Sequence, residues 1–296
     1  MSAPFLKWAG GKGKLAPVVA AGCPASIVTY HEPFVGAGAV FFALEQERPG
    51  LPSRLNDLNG ALMETFRVVR DDVEQLIEEL GRMAGEFFGR DAEGRKAYYY
   101  QVRAEDPATA VGRAARLIFL NRTGYNGLYR VNRSGRFNVP YGRYANPRIL
   151  HTEGLRAASQ SLRNAELTSV DFEEACAAAR PGDFVYLDPP YQPLSATSSF
   201  TSYTSAEFSQ DEQRRLRDVF EDLTSRGVPA MLSNSSHPFI RELYDGRGLE
   251  IRTVKMSRAI NSNGHGRAPI DELLIDNFAR VGLEMPKRDI DAVTLG

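Results

Sequence analysis

Four consecutive residues, Asp188-Pro189-Pro190-Tyr191, have the composition of a site that holds an amine for alkylation. An aspartate carboxylate and a proline carbonyl can accept the two N–H hydrogens of an exocyclic amine and keep its lone pair toward an electrophile. Proline supplies that carbonyl on a fixed φ and without a competing N–H. The tyrosine ring offers a face on which a base taken out of its helix can stack. A rigid turn with a capping aspartate is the alternative interpretation.

A glycine-rich segment at 32–38, EPFVGAG, lies between a predicted strand and a predicted helix. Gly36 and Gly38 allow a ligand to approach the backbone closely, and an acid after the second strand typically binds ribose hydroxyls. Asp57 occupies that position. The pair suits any nucleoside cofactor, NAD and S-adenosylmethionine included, whereas a tight turn followed by a helix-capping aspartate is the alternative. The Gly-Gly-Lys at 10–12 is not followed by serine or threonine, which argues against a phosphate-binding P-loop.

Residue usage excludes several classes of protein. Hydrophobic residues make up 43% of the chain and charged residues 25%, which is typical of a soluble globular protein. No apolar run approaches the roughly 20 residues that span a bilayer, and residues 1–10 lack the regions of a signal peptide. We therefore expect a cytoplasmic protein that does not bind a membrane. The two cysteines and four histidines have neither disulfide nor metal-ligand spacing, so no metal is expected.

Arginine is concentrated in one segment, 107–152, which contains no acidic residue and no lysine. The segment carries a formal charge of +8, whereas the whole chain carries −1. Such asymmetry predicts a polyanion-binding surface on a neutral-to-acidic body. A solvated face of an arginine-rich protein is the alternative. The arginines are Arg113, Arg116, Arg122, Arg130, Arg133, Arg136, Arg143 and Arg148.

The elements that must position these residues alternate between strand and helix. Apolar patterning predicts strands at 26–31, 52–56, 166–170, 183–187, 228–233, 249–254 and 271–276, and helices at 39–47, 60–88, 91–104, 108–121, 209–226 and 238–244. Alternation at both ends of the chain predicts a parallel or mixed doubly wound α/β sheet. The DPPY tetrad would then follow a strand at its carboxyl end, where open sheets bind ligands. The helical, arginine-rich middle is predicted to be an insertion.

Six motifs, in this order, make the chain resemble the Dam-type DNA adenine-N6 methyltransferases. They are FLKWAGGK, EPFVGAGAVF, NDLN, FLNRTGYNGLYRVNRSGRFNVPYGRY, DPPYQPLSATSSFTSY and SNGHGRAPIDELL. The match runs from Phe5 to about Leu274, nearly the whole chain. The order resembles the α group of that family, with cofactor motifs first, a recognition insert next and the catalytic tetrad last.

The resemblance implies a fold and an activity. The fold would be a Rossmann-like SAM-dependent methyltransferase domain, 1–59 and 166–280, with an inserted, mostly helical DNA target-recognition domain at 60–165. The insert would carry a β-hairpin at about 122–145, and 285–296 would be a flexible tail. The activity would move the methyl group of S-adenosyl-L-methionine (SAM), leaving S-adenosyl-L-homocysteine, to N6 of an adenine flipped out of duplex DNA. GATC is the expected site, and a nucleoid-associated monomer that needs no metal is the expected form.

The resemblance also assigns roles in the cofactor and amine sites. Trp8 and Lys12 would line the methionine end of the cofactor, Asp57 would bind its ribose, and Asp171-Phe172 would flank its adenine. The implied cofactor-binding residues are Trp8, Gly10, Lys12, Phe34, Gly36, Gly38, Asp57, Asp171, Phe172 and Asp188. The implied catalytic residues, which hold the flipped adenine, are Asp188, Pro189, Pro190 and Tyr191.

The resemblance places the DNA contacts in the arginine-rich segment. The residues implied to read or wedge the recognition site are Tyr125, Asn126, Leu128, Arg130 and Pro140. Those implied to contact or support the DNA backbone are Arg122, Asn132, Asn138, Arg143 and Tyr144. Lys7 would also reach a base. A DNA-binding regulator on a decayed methyltransferase scaffold is an alternative, as is a methyltransferase acting on RNA or on a protein amide. The intact tetrad argues against the first alternative, and the arginine-rich hairpin argues against the second.

Overall fold

Seven strands form one sheet in the part of the chain that the computed structural model describes, residues 2–8, 12–192, 208–256 and 270–284. The strands are β1 (Tyr30–Glu32), β2 (Ser53–Asn56), β3 (Ala165–Thr168), β4 (Phe184–Leu187), β5 (Ala230–Ser235), β6 (Glu250–Met256) and β7 (Ile270–Asp276). Their order across the sheet is β3-β2-β1-β4-β5-β7-β6. Within the described ranges the architecture is therefore α/β with a mixed sheet, as the sequence predicts.

The five strands from β3 to β5 are parallel, and β7 runs antiparallel to both β5 and β6. All four residues of the central strand β4, FVYL, are buried. Such a continuous apolar run is typical of a parallel strand that is covered on both faces. The reversal of β7 brings its first residues beside the carboxyl end of β5, where Glu272 pairs with Ser235.

Helices cover both faces of the sheet. They are α1 (Ala16–Gly22), α2 (Ala39–Glu47), α3 (Gly60–Asp71), α4 (Val73–Phe88), α5 (Ala92–Ala104), α6 (Ala110–Thr123), α7 (Thr152–Leu162), α8 (Phe172–Ala177), α9 (Gln210–Ser225) and α10 (Pro238–Tyr244). Alternate residues of β4 point to opposite faces. Accordingly Tyr186 belongs to one core cluster, with α1 to α7, and Leu187 to another, with α8 to α10. No helix in the described ranges is long and apolar enough to cross a membrane.

The helices α3 to α7 lie between β2 and β3 in the chain. Their buried side chains, including Phe66, Leu80 and Phe119, join the same hydrophobic cluster as Tyr30 and Tyr186 of the sheet. The helical middle thus packs onto one face of the sheet through a shared core. Its division from the rest of the chain as a recognition domain stays a prediction.

The helix predicted at 60–88 is broken into α3 and α4. Asp72 ends one helix and begins the next, with a non-helical φ of −126° and ψ of 33°. Aspartate competes for backbone hydrogen bonds in non-helical conformations, which is consistent with a break at this residue. The helices α1, α7 and α8 lie outside the predicted set.

The segment 124–144, predicted as part of a β-hairpin, is a folded loop with two isolated antiparallel bridges, Gly124 to Tyr141 and Val131 to Phe137. The two branches run antiparallel, but the ladder between them is interrupted, and the hairpin stays a prediction. Two features of the loop account for the interrupted pairing. Asn126 has a left-handed φ of 54°, and Pro140 has no N–H to donate to a ladder.

Candidate active site

The carboxyl ends of three neighbouring parallel strands meet at one edge of the sheet. β2, β1 and β4 lie side by side, and they are followed by Asp57, the 33–38 turn and Asp188 respectively. The topology therefore brings the predicted cofactor turn, the predicted ribose acid and the DPPY tetrad to one crevice. Such an edge is where open α/β sheets bind their ligands.

The turn after β1 requires glycine at two positions. Gly36 and Gly38 have φ values of 49° and 74°, a region that residues with a Cβ rarely adopt. A Cβ on Gly36 would lie 3.1 Å from Cδ1 of Trp8. The indole of Trp8 therefore covers this turn closely, and Gly38 caps the amino end of α2.

Asp57 is tied to the glycine turn by hydrogen bonds. Its Oδ2 accepts the backbone N–H of Gly36 at 3.1 Å, and its Oδ1 accepts the N–H of Asn59 at 2.9 Å. Burial raises the pKa of this carboxyl and the two N–H donors lower it, with a net rise. The carboxylate is half-buried, and each of its oxygens retains a lone pair that a hydroxyl could use.

A buried acid, Glu32, links the end of β1 to α2 across the same turn, and the sequence motifs give it no role. Its Oε2 accepts hydrogen bonds from the Tyr30 hydroxyl at 2.9 Å and from the Phe41 N–H at 3.1 Å. Burial raises the pKa of Glu32 well above its ordinary value. The residue opens the EPFVGAG motif, and its position at the end of a buried strand was the signal that could have found it.

The carboxylate of Asp188 is the centre of a polar cluster. Its Oδ1 accepts a hydrogen bond from Ser233 Oγ at 2.8 Å and lies 3.2 Å from Lys12 Nζ. The Tyr186 hydroxyl lies 2.8 Å from the same serine oxygen. Burial raises the pKa of Asp188, and Lys12 and Ser233 oppose that rise. The serine on β5 and the lysine before α1 thus hold this carboxylate in one orientation.

The remainder of the tetrad is also held in place. The Tyr191 hydroxyl donates to Glu272 Oε2 at 2.8 Å, and Lys12 Nζ lies 3.9 Å from the centre of the Tyr191 ring. The Pro190 carbonyl accepts a hydrogen bond from Gln213 Nε2 at 3.0 Å. The carbonyl of the other proline, Pro189, is therefore the better candidate for an amine.

Aromatic rings form a wall beside the glycine turn. The ring of Phe34 lies 5.4 Å from that of Phe172 and 5.9 Å from that of Phe208. Asp171 caps the amino end of α8 and forms an ion pair with Arg215, whose guanidinium lies 4.3 Å from the Phe172 ring. Asp171 and Phe172 therefore lie next to the site, but the Asp171 carboxylate already has a cationic partner.

Hydrogen bonds within the loop 124–144 orient most of its residues that are predicted to contact DNA. The hydroxyl of Tyr144 accepts the N–H of Asn126 at 2.9 Å, and Pro140 O accepts the N–H of Tyr125 at 2.9 Å. Lys7, from outside the loop, places its ammonium 5.0 Å from the Tyr144 ring. Tyr125 remains 50% exposed, so its ring is presented to solvent beside these bonded neighbours.

The side chain of Arg130 is oriented by the opposite branch of the loop. Its Nε donates to Asn138 Oδ1 at 2.7 Å, and the two backbones pair through Asn138 N and Arg130 O at 3.0 Å. Asn132 folds the tip by accepting two backbone N–H groups on its Oδ1. Leu128 is half-buried against the core, and Arg143 is exposed with a φ of 55°.

The positive charge of 107–152 is largely uncompensated. Among the described residues, Arg113 is the only one of the eight arginines that forms an ion pair, with Glu64. Arg116 and Arg122 are used inside the fold, where Arg122 Nη2 donates to the Phe5 carbonyl at 2.7 Å. The other arginines keep their charge near the loop surface.

Some predicted features lie outside the described residues. These are Gly10, the part of the fifth motif after residue 192, most of the sixth motif before residue 270, and the tail 285–296. Within the described ranges, no group of three or more His, Cys, Asp or Glu could hold a metal ion. The groups at the sheet edge, which are a carboxylate acceptor, backbone amides and aromatic rings, suit a nucleoside cofactor.

Comparison with known proteins identifies the family. The family model of the D12 class N6 adenine-specific DNA methyltransferases matches residues 8–260. The chain is 45% identical over 287 residues to the type II methyltransferase M.MjaIII of Methanocaldococcus jannaschii, covering 93% of this chain and 99% of that protein. It is 37% identical over 275 residues to the DNA adenine methylase of Escherichia coli, covering 91% and 93%. The chain therefore belongs to the D12 class of N6 adenine-specific DNA methyltransferases.

Proposed function

We propose that this methyltransferase flips an adenine out of duplex DNA within GATC and places its N6 amine against Asp188, using SAM bound at the adjacent glycine turn. The observation that carries the proposal is the position of the Asp188 carboxylate, buried at the carboxyl end of β4 and next in the sheet to the turn that follows β1. That position sets an acceptor for an amine directly beside a nucleoside crevice.

Family membership implies SAM as the methyl donor, and the residues present at the sheet edge fit it. The positive-φ turn at Gly36 and Gly38 allows close approach of a ligand, since side chains there would be strained. We assign the ribose hydroxyls to Asp57 and the aromatic wall beside the adenine to Phe34 and Phe172. When bound, SAM supplies a methyl group already activated on a sulfonium.

The chain's own residues then have to orient the amine. The Asp188 carboxylate and the Pro189 carbonyl accept its two N–H hydrogens, which fixes the direction of the nitrogen lone pair. The Tyr191 ring stacks on the base. No covalent intermediate is needed because the leaving group is good, so that orientation and preorganised hydrogen bonds supply most of the rate increase.

We assign recognition to the 60–165 region, and within it to the loop 124–144. Its uncompensated arginines suit the phosphates of a duplex, which position a protein without reading sequence. Arg130 suits a guanine, because a guanidinium bidentate to O6 and N7 is the commonest specific contact. The motif resemblance supports GATC as the site, and a DNA substrate agrees with a place in the cytoplasm beside the nucleoid.

The test is to express the chain in a host that lacks adenine methylation and to map modified bases by long-read sequencing. We expect N6-methyladenine at GATC with the wild-type chain and none with the Asp188→Ala variant. Methylation of a different sequence would overturn the site, and a modified Asp188→Ala culture would overturn the mechanism. Absence of any DNA modification would favour RNA, a protein amide or pure DNA binding.

A further inference from the structure

Glu272 belongs to the sixth motif but has no role in the proposed chemistry, and it lies inside the amine site. It is the third residue of β7, and the antiparallel register sets it opposite Ser235 at the carboxyl end of β5. Its side chain is 17% exposed. Its Oε2 accepts the Tyr191 hydroxyl at 2.8 Å and lies 3.6 Å from Lys12 Nζ.

The ammonium of Lys12 is shared between two carboxylates. Nζ lies 3.2 Å from Asp188 Oδ1 and 3.6 Å from Glu272 Oε2, and its side chain is only 8% exposed. The Tyr191 ring covers it at 3.9 Å. In this state the lysine occupies one of the positions from which a donor can reach Asp188.

A target amine that approaches Oδ1 of Asp188 competes with Lys12. This oxygen already accepts the Ser233 hydroxyl and lies beside the ammonium, so an incoming N–H group at Oδ1 needs the lysine to weaken its contact. A buried ammonium cannot give up one carboxylate without another acceptor, because an unpaired buried charge is costly. Glu272 lies within reach of the ammonium without a large movement.

We propose that Glu272 is a positioning residue that takes over the Lys12 ammonium when the target amine binds Asp188, and that holds the Tyr191 ring by its hydroxyl. The proposal rests on the proposed function, since it needs Asp188 to receive the amine. It gives the second carboxylate of the site a role without direct contact to the reacting atoms.

The charge of Glu272 also acts on Asp188. Burial is the main cause that raises the pKa of Asp188, Lys12 and Ser233 lower it, and Glu272 raises it. Within the described ranges, the other titratable groups that interact with this carboxyl are Glu32 on β1, Tyr186 on β4 and Tyr191. Removing the negative charge at 272 must lower the pKa of Asp188. The acid limb of the methylation rate, where Asp188 becomes protonated, would then move to lower pH.

The experiment compares single-turnover methylation of a GATC duplex by the wild type, Glu272→Gln and Asp271→Asn from pH 5 to 9. Asp271 is the matched control, because it is exposed and neighbouring residues of a strand point to opposite faces. We expect Glu272→Gln to be slower by about tenfold at neutral pH, with its acid limb at lower pH. SAM affinity should stay near the wild-type value, and Asp271→Asn should match the wild type.

A second pair of variants separates positioning from loss of structure. In the Lys12→Gln variant no ammonium has to be moved. Adding Glu272→Gln to it should therefore lower the methylation rate much less than Glu272→Gln does in the wild type. Such non-additivity is what a double-mutant cycle shows for residues that interact. An additive effect, an unmoved acid limb, or an unchanged rate in Glu272→Gln would each overturn the proposal. Failure of the proposed function would be seen separately, as activity of Asp188→Ala.

Discussion

Two regions hold their functional side chains by different means. One is the loop 124–144, and the other is the pocket, the cluster of Lys12, Asp188, Tyr191 and Glu272 at the sheet edge. In the pocket, Lys12 forms ion pairs with both Asp188 and Glu272, and all three side chains are less than one-fifth exposed. In the loop, Tyr125 is half exposed and Arg130 is held by one neighbour, Asn138. A buried shared network fails as a unit when one member is removed, whereas exposed side chains act one at a time.

The two regions therefore control different properties of the enzyme. The pocket is fixed by strand ends, and the methyl transfer that we propose there needs one geometry for any adenine that enters it. The loop is anchored by Tyr99, whose hydroxyl donates to Val139 O at 2.9 Å, and by Asn121, which bonds Gly127 O at 2.9 Å. With its backbone held, the exposed side chains of the loop can vary selectivity without disturbing the methyl-transfer step.

Removal of the central carboxylate should give the largest effect. Asp188→Ala should lower single-turnover methylation by at least about a hundredfold to a thousandfold, the loss typical of a preorganised group that acts on the reacting atoms. DNA affinity should persist because we assign the duplex contacts to the loop. Rates come from quenched reactions with labelled SAM, and affinity from gel shifts. If the Asp188→Ala variant stays active, the pocket is not the place where the methyl group is transferred.

Removal of Asp57, the acid that we assign to the ribose, should lower cofactor binding alone. Asp57→Ala deletes a charge-assisted acceptor, which contributes about 1.5–3 kcal/mol, and also releases the Gly36 N–H. Calorimetry should show SAM affinity lower by about tenfold to a hundredfold. The SAM affinity of Asp57→Asn, which keeps the shape of the side chain, should lie between those of Asp57→Ala and the wild type. Unchanged affinity in Asp57→Ala would move the ribose site elsewhere.

Substitution of Arg130 should change selectivity more than speed. Arg130→Ala should relax discrimination at one G·C pair by about 1–3 kcal/mol, measured as methylation rates on duplexes with each base pair changed in turn. Arg133→Ala, exposed at the tip of the same loop, should weaken all duplexes alike and reduce the salt slope. Arg122, whose guanidinium bonds the Phe5 carbonyl inside the fold, is not a matched variant for this test. If Arg130→Ala slows every duplex by one factor, the residue touches only the backbone.

Substitution of Tyr129 should give the smallest effect and should reach both regions. Its ring stacks on Trp8 with 5.4 Å between centroids, and Trp8 covers the cofactor turn. Tyr129→Ala loses a contact of about 0.5–1.5 kcal/mol, so SAM affinity and base discrimination should each fall severalfold. Tyr129→Phe keeps the stack and should change neither. A loss confined to one readout would show that the two regions are independent.

The elements with strong local signals were predictable from the sequence. α2 and α10 have the predicted bounds, residue for residue. A positive-φ glycine precedes α2, and Pro238 begins α10, where its fixed φ favours a first turn. The DPPY tetrad directly follows the buried strand β4, as predicted. The short apolar run before the tetrad is typical of such a strand.

The features that depend on distant partners were not predictable. The direction of β7 is set by its pairing with β5 and β6, and only that reversal brings Glu272 to Tyr191. The Arg215 side chain that engages Asp171 comes from α9, 44 residues along the chain. The broken pairing of the loop follows from Asn126 and Pro140 together with the bonds that Tyr99 and Asn121 make. No local pattern contains such contacts.

One panel tests the central claim that the pocket performs the transfer and the loop selects the site. Wild type, Asp188→Ala and Arg130→Ala are each given labelled SAM with the GATC duplex and with duplexes changed at one base pair, and the labelled nucleoside is identified. We expect N6-methyladenine from the wild type, no label on any duplex from Asp188→Ala, and from Arg130→Ala methylation with an altered ratio between duplexes. Label at another atom, or an Asp188→Ala variant that changes the ratio while methylation continues, would contradict the account.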